Sequence, residues 1–320
     1  MAVYTQIDDD ALLAFMADYG LGDVLGYKGI AEGIENSNYL VTMTSGPYIL
    51  TLYEKRVRIE DLPFFLSLMD HLAANGVPCP VPVRTGNGDA LRELAGRPAA
   101  LITFLPGFST RSPTPIHCRA VGETLAMIHQ AGEGMVLSRE NGLGVTSWRP
   151  LLDSSEDGAD SLRPGLKAEL DAAMSRLEDN WPKGLPEGVI HADLFPDNVF
   201  FRHDHLSGVI DFYFACNDAF AYDLAVCINA WCFERDGSFN VTKARRLTAG
   251  YQSVRPLEDG EREALPILCA GAAMRFLVTR LYDWLNTPEH ALVVRKDPME
   301  YVEKLKFHLN ATEPEAYGID

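Results

Sequence analysis

The feature that most constrains this chain is a pair of polar sites joined by two short apolar runs. The first site is His191-Ala-Asp193-Leu-Phe-Pro-Asp-Asn198, and the second is Ile210-Asp211-Phe212. Val189-Ile190 leads into the first as a short apolar approach, and Val199-Phe200-Phe201 leaves it as a strand. Leu206 to Ile210 is a second apolar run, and it stops at Asp211. Two such runs pair as an antiparallel hairpin, which sets the start of one strand beside the end of the next. Asn198 and Asp211 occupy those positions, so their side chains can converge. A lone His-x-Asp is a common surface polar cluster; the full set in this order is far more specific.

Converging oxygen groups of this kind suit phosphoryl transfer. Moving a γ-phosphoryl group needs a carboxylate to accept the hydroxyl proton and oxygen ligands to hold Mg²⁺. Asp193 is the expected base, and Asn198 and Asp211 are the expected metal ligands. ATP is the expected phosphoryl donor.

Bulk properties narrow the remaining choices. At 320 residues the chain is long for one core and suggests two lobes. A net charge of −17 leaves no broad basic field for nucleic acid or an anionic membrane. The N-terminus lacks the basic and apolar regions of a signal peptide. No stretch reads as bilayer-spanning, since the apolar run Leu265 to Val278 carries Arg275. Cys79, Cys118, Cys216, Cys227, Cys232 and Cys269 form no Cys-x-x-Cys pair, so reduced, buried thiols in a cytoplasmic protein are expected.

The texture of the chain changes near Pro106. Asp8-Asp9-Asp10 opens a short helix that ends at Gly20. Tyr39–Thr44 and Tyr48–Tyr53 then read as a hairpin turning at Ser45-Gly46-Pro47. Glu60 to Ala74 has helical spacing, Pro78, Pro80 and Pro82 force an extended segment, and Ala99 to Leu105 reads as a strand. Beyond Pro106, helical spacing dominates from Pro115–Ala131 to Asp297–Leu309. The expected organisation is an N-terminal nucleotide-binding lobe over 1–105 and a helical lobe over 106–320 that carries the catalytic loop and acceptor pocket.

Two segments of the first lobe are candidates for nucleotide contact. Gly29-Ile-Ala-Glu-Gly33-Ile-Glu-Asn-Ser37-Asn38-Tyr39 can bring main-chain N–H groups to phosphate, with Ser37 and Asn38 as the side chains; it also reads as a plain polar hairpin loop. Leu101-Ile-Thr103-Phe104-Leu105-Pro-Gly107 can stack an adenine and offer it main-chain hydrogen bonds, or it is a buried edge strand.

With these pieces in place the chain resembles the aminoglycoside phosphotransferase/choline kinase superfamily, and within it the homoserine kinases. The resemblance runs through Gly33 to Tyr39, Tyr48 to Tyr53, Gly76-Val-Pro-Cys-Pro80, Phe104 to Gly107, Leu125-Ala-Met-Ile-His129, Val189 to Asn198 and Gly208 to Ala215. Tyr222-Asp223-Leu-Ala225 and Asn229-Ala-Trp-Cys232 come next; the latter and Tyr213-Phe214-Ala215 point to the homoserine kinases. The resemblance implies an α+β, protein-kinase-like bilobal fold with a small β-rich lobe and a larger, mainly helical one. It also implies that His191 supports the catalytic loop and that Asp223 steadies the loops around the site. Asp223 equally reads as a helix N-terminal acid.

One departure stands out. Such kinases usually carry a Lys or Arg on the second hairpin strand and a Glu on the following helix, where this chain has Thr51 and Phe65. Losing one partner alone would strand a semi-buried charge at a cost of about 3–5 kcal/mol, whereas losing both is self-consistent. Lys55 and Arg56 are candidate replacement cations.

The acceptor is expected to be a small molecule. Only Phe212 to Ala219 separates Asp211 from the next helical segment, too little for an activation segment, and His191-Ala-Asp193 lacks the Arg that grips an activation-loop phosphate. Homoserine is a zwitterion whose carboxylate needs a cation, and Arg275 or Arg280 is placed to supply it, unless each belongs to an ordinary salt bridge. The leading expectation is ATP-dependent phosphorylation of homoserine, a step of threonine biosynthesis. The alternatives are a choline, ethanolamine, methylthioribose or aminoglycoside kinase, and a nucleotide-binding scaffold without activity.

Overall fold

Asp8 caps the first helix, α1 (Asp9–Ala17), its carboxylate accepting the N–H groups of Asp10 and Ala11. The structure is a computed structural model that describes residues 4–30, 36–54, 57–155, 158–287 and 295–319. After α1 come β1 (Val24–Ile30), β2 (Ser37–Met43) and β3 (Gly46–Leu52), then α2 (Leu62–Ala74), β4 (Leu91–Leu94) and β5 (Arg97–Thr103). The strands form one antiparallel sheet in the order β1-β2-β3-β5-β4. Strand alternation divides its two faces. Tyr39, Val41, Met43, Leu50, Leu52 and Leu101 pack against Leu12, Phe15 and Met16 of α1 in a small core. Asn38, Ile49 and Thr51 look the other way, into a cleft.

The hairpin turn lies earlier than the sequence suggested. Met43 pairs with Gly46, so Thr44 and Ser45 form the turn, and Gly46 and Pro47 open β3. Pro47 is tolerated because pairing of β3 with β5 begins only at Tyr48, so no ladder donor is lost. β1 was not legible: Gly26 and Gly29 weaken its apolar alternation.

The second half holds β6 (Phe108–Ser109), α3 (Pro115–Ala131), α4 (Val145–Asp153), α5 (Gly158–Leu162), α6 (Leu166–Asn180), β7 (Glu187–Ile190), β8 (Val199–Arg202), β9 (His205–Val209) and β10 (Cys216–Ala219). It closes with α7 (Phe220–Trp231), α8 (Val241–Gln252), α9 (Asp259–Asn286) and α10 (Met299–Asn310). The fold is thus bilobal, a sheet before Pro106 and a mainly helical assembly after it. α2 ties the halves together, because Leu62, Phe65, Leu68 and Leu72 belong to the large core built around α3, α7 and α9. α3 and α8 approach so closely that a Cβ on Gly122 or Gly250 would collide with the carbonyl of Leu247 or Arg119.

α9 is the one helix among the described residues long and apolar enough to cross a membrane, longer than the apolar run read from sequence. Its residues Leu265 to Val278 are almost all buried in the large core, which identifies it as the central helix of this half. The six cysteines are all free and buried.

Candidate functional site

β7 delivers the chain into the loop His191–Asn198, and neighbouring elements hold that loop through its main chain. Asp223, in the first turn of α7, accepts the N–H of His191 at 2.7 Å and of Ala192 at 2.8 Å. Ala192 sits at φ +61, a left-handed conformation uncommon for residues with a side chain. Arg275 of α9 donates to its carbonyl, and Trp231 Nε1 donates to the carbonyl of Leu194 at 2.7 Å. So fastened, the loop presents Asp193, half-buried, on the floor of a cleft between the sheet and the helices.

The hairpin of β8 and β9 forms as its apolar runs suggest, with Val199 opposite Val209. One step further, the N–H of Ile210 donates to the carbonyl of Asn198 at 3.0 Å. Asn198 and Asp211 therefore lie side by side at the hairpin's open end, and both line the cleft with Asp193. Asp211 is at φ +66, which turns the chain sharply where the strand ends. Asn198 uses Nδ2 to bond the carbonyl of Asp193 at 2.9 Å, and the same nitrogen lies 3.3 Å from the Asp193 carboxylate, which leaves its amide oxygen for the cleft. One carboxylate and one amide oxygen form a hard, all-oxygen donor set. Mg²⁺ is commonly held by one or two such groups together with substrate phosphates, so the residues fit that ion.

His191 is fully buried with both ring nitrogens engaged. Nε2 lies 3.1 Å from the carbonyl of Ile210, to which it donates, and Nδ1 accepts the N–H of Asp193 at 3.3 Å. Burial pushes its pKa below the ordinary value despite the nearby carboxylates of Asp223 and Asp193, so it is neutral. It thus joins the loop that carries Asp193 to the strand end that carries Asp211. Burial raises the carboxyl of Asp193, while Arg275 and Lys296 pull it back. Burial alone would also raise Asp223, but His129, His191 and the loop amides outweigh it and hold Asp223 below its usual value.

On the sheet side the expectations divide. Asn38, Thr103, Phe104 and Leu105 line the cleft. Thr103 is tied to Val81 by its N–H at 3.0 Å and its hydroxyl at 2.9 Å, which fixes where β5 leaves the sheet and Phe104 and Leu105 enter the wall. Ser37 does not reach the cleft. Because side chains alternate along β2, it points to the α1 face, where its hydroxyl accepts the N–H groups of Tyr4 and Thr5 and donates to Glu54 at 2.8 Å. Residues 31–35 of the neighbouring loop, and Lys55 and Arg56, lie outside the described residues. Thr51 faces the cleft, and its hydroxyl donates to Asn38 Oδ1 at 2.8 Å. Phe65 packs edge-on against Tyr213, centroids 5.6 Å apart.

Arg275 and Arg280 both line the cleft, in different states. Arg280 is bonded to Glu300 at 2.7 Å and lies over the ring of Tyr301. Arg275 is almost fully buried, stacks on Phe276 at 4.4 Å, and has no hydrogen-bond partner at Nε. Its grip on the Ala192 carbonyl was not visible in sequence. Nor were Trp231, Lys296 or Arg139. Arg139 bonds Asp61 at 2.8 Å and the carbonyl of Ala215 at 3.1 Å, linking the entry of α2 to the segment after Asp211. These partners are distant in the chain, so no local pattern announces them.

The cleft measures about 1730 Å³. A pocket for one small ligand occupies roughly 300–1,000 Å³, so two substrates can lie here side by side. The phosphotransferase enzyme family matches over residues 26–257. A homoserine kinase of Parvibaculum lavamentivorans is 57% identical over 320 residues, covering 100% of both chains. One from Rhizobium meliloti is 58% identical over 319 residues, covering 100% of this chain and 98% of its own. Among solved structures, an amicoumacin kinase in complex with AMP-PNP, Ca²⁺ and Ami superposes with a TM-score of 0.70 at 16% identity, over 96% of this chain and 95% of its own.

Proposed function

The chain belongs to the phosphotransferase enzyme family, and from that premise we propose that it transfers the γ-phosphoryl group of ATP to the hydroxyl of L-homoserine. The observation that carries the reading is the convergence of Asp193, Asn198 and Asp211 on one cleft in a chain that matches homoserine kinases from end to end. In this reaction the acceptor oxygen attacks the γ-phosphorus in line, the bond to the β–γ bridging oxygen breaks, and ADP leaves. Asp193 takes the hydroxyl proton; burial raises its carboxyl, and Arg275 and Lys296 pull it back. Asn198 and Asp211 would hold Mg²⁺, which when bound neutralises charge on the phosphoryl oxygens. The rest of the rate comes from positioning, for which the loop's many main-chain bonds are suited.

For the acceptor, Arg275 is the better carboxylate partner. Arg280 already has Glu300, whereas among the described residues no carboxylate is bonded to Arg275, and Arg275 stands beside Asp193. Asp283 lines the same cleft and suits the ammonium end. On the nucleotide side, Asn38 meets phosphate, and Thr103, Phe104 and Leu105 frame the adenine. Substrates of this kind place the enzyme in the cytoplasm, in the step that makes O-phospho-L-homoserine for threonine biosynthesis.

Choline, ethanolamine, methylthioribose and aminoglycosides as acceptors, or loss of activity altogether, are less well supported. Purified protein with Mg-ATP and a panel of hydroxyl compounds tests the reading. ADP release that depends on homoserine is expected; release with an amino alcohol but none with homoserine would overturn it.

A further inference from the structure

In protein kinases a lysine on the third strand pairs with a glutamate on the next helix, and both must be in place for transfer. Here those positions, on β3 and α2, are Thr51 and Phe65. Thr51 and Asn38 are direct partners across the β2–β3 ladder, both on its cleft face. The Thr51 hydroxyl donates to Asn38 Oδ1 at 2.8 Å. With its oxygen so occupied, the Asn38 amide keeps its two N–H donors for a ligand in the cleft that Asn38 lines. Behind this pair the volume an ion pair would use is filled by rings. Tyr213 meets Phe65 edge-on at 5.6 Å and Tyr53 edge-on at 5.6 Å. A charge placed there would face aromatic surface, and the acid of α2, Asp70, is already paired with Arg84.

We propose that Thr51 and Asn38 form a charge-neutral substitute for that ion pair. Asn38 Nδ2 donates to a phosphate oxygen of the bound nucleotide, and Thr51 is the positioning residue that fixes the amide's orientation. This role rests on the kinase reading. It has a consequence for the chain's chemistry: a neutral donor orients phosphate without offsetting its charge, which is left to other groups at the site. The pair acts as a unit, because Thr51 reaches the phosphate through Asn38.

The test is calorimetric titration of the full chain with a non-hydrolysable ATP analogue and Mg²⁺, alongside steady-state kinetics and thermal melting. Thr51→Val should weaken analogue binding roughly tenfold or more, as expected for freeing an amide that contacts a charged group. It should raise KM for ATP more than it lowers kcat, and Thr51→Ser should restore both. Asn38→Asp, which keeps the shape but turns a carboxylate toward phosphate, should weaken binding further, and adding Thr51→Val to it should cost little more. If Thr51→Val melts lower yet binds the analogue as wild type does, the pair is structural and the proposal falls. Equal binding by Asn38→Asp would overturn it as well. Absence of analogue binding by the wild type would instead sink the kinase reading, and the neutral pair's role with it.

Discussion

The carboxylate of Asp223 accepts the main-chain N–H of His191 at 2.7 Å, and the same group receives His129 Nε2 at 3.1 Å. His129 in turn meets the hydroxyl of Tyr251 at 2.7 Å through Nδ1, and Tyr251 accepts from Arg255, which is paired with Glu261. A buried polar chain thus runs from the start of α9 through α8 and α3 to the loop that bears Asp193. Every member is satisfied by the next, which makes the arrangement rigid and makes any gap in it expensive.

Removing the acceptor at the end of that chain should be costly. Asp223→Ala would orphan the amides of His191 and Ala192 and leave His129 without its partner. A loss of about 3–5 kcal/mol in denaturant unfolding is expected. Activity should fall by more than the lost folded fraction explains, because left-handed Ala192 loses a support beside Asp193.

Asp193→Asn keeps the shape of the base and removes its proton affinity. Turnover should fall by roughly 10²–10⁴-fold. Analogue binding should change little, since Asp193 is assigned to the acceptor hydroxyl. Single-turnover kinetics with homoserine separate the two effects; wild-type turnover in this variant would remove Asp193 as the base.

Much of this site could be read from residue order. Asn198, Asp211 and the strands between them are local, so apolar runs and hairpin geometry placed them together. α3 and α6 to α10 were legible for the same reason, since their apolar spacing repeats over several turns; α4 (Val145–Asp153) and α5 (Gly158–Leu162) were not, and α5 falls where a connector was expected. Ser37 was misplaced because a loop residue beside a strand has no visible face until its register is set; one step along β2 separates the cleft from the α1 side. Arg275, Arg139 and Trp231 act on carbonyl groups of distant segments, and a carbonyl leaves no signature in sequence. β1 was missed because its glycines conceal a strand that packing alone stabilises.

Acid should weaken the fold well before carboxylates titrate. His308, buried between Asn229 and Tyr317, has its pKa lowered from 6.5 to about 3 by burial and by Lys304. Burial lowers His129 and His191 in the same direction. Each is neutral when folded and protonates near 6.5 when unfolded, so the unfolded chain binds more protons below that pH. Their contribution is complete above about 6.5 and declines as pH falls toward the folded values. Asp223, also depressed, adds a further loss at still lower pH. Midpoints of urea unfolding should therefore drop between pH 7 and 5. His308→Gln should flatten that slope while lowering stability at pH 7.

Arg275 and Arg280 can be separated by exchange for lysine, which keeps charge and removes the planar fork. Arg275 is almost fully buried, holds the Ala192 carbonyl and stands beside Asp193, so a lysine there cannot serve both the loop and a substrate carboxylate. Arg275→Lys should raise KM for homoserine by roughly tenfold or more and lower kcat, with KM for ATP little changed. Arg280 already answers Glu300, half-exposed at the cleft edge, and Arg280→Lys preserves that pairing. Its KM for homoserine should stay within about threefold of wild type, the scale of a surface ion pair. The reverse pattern, a large KM effect at Arg280 and none at Arg275, would move the carboxylate end of the acceptor about one and a half turns along α9, away from Asp193.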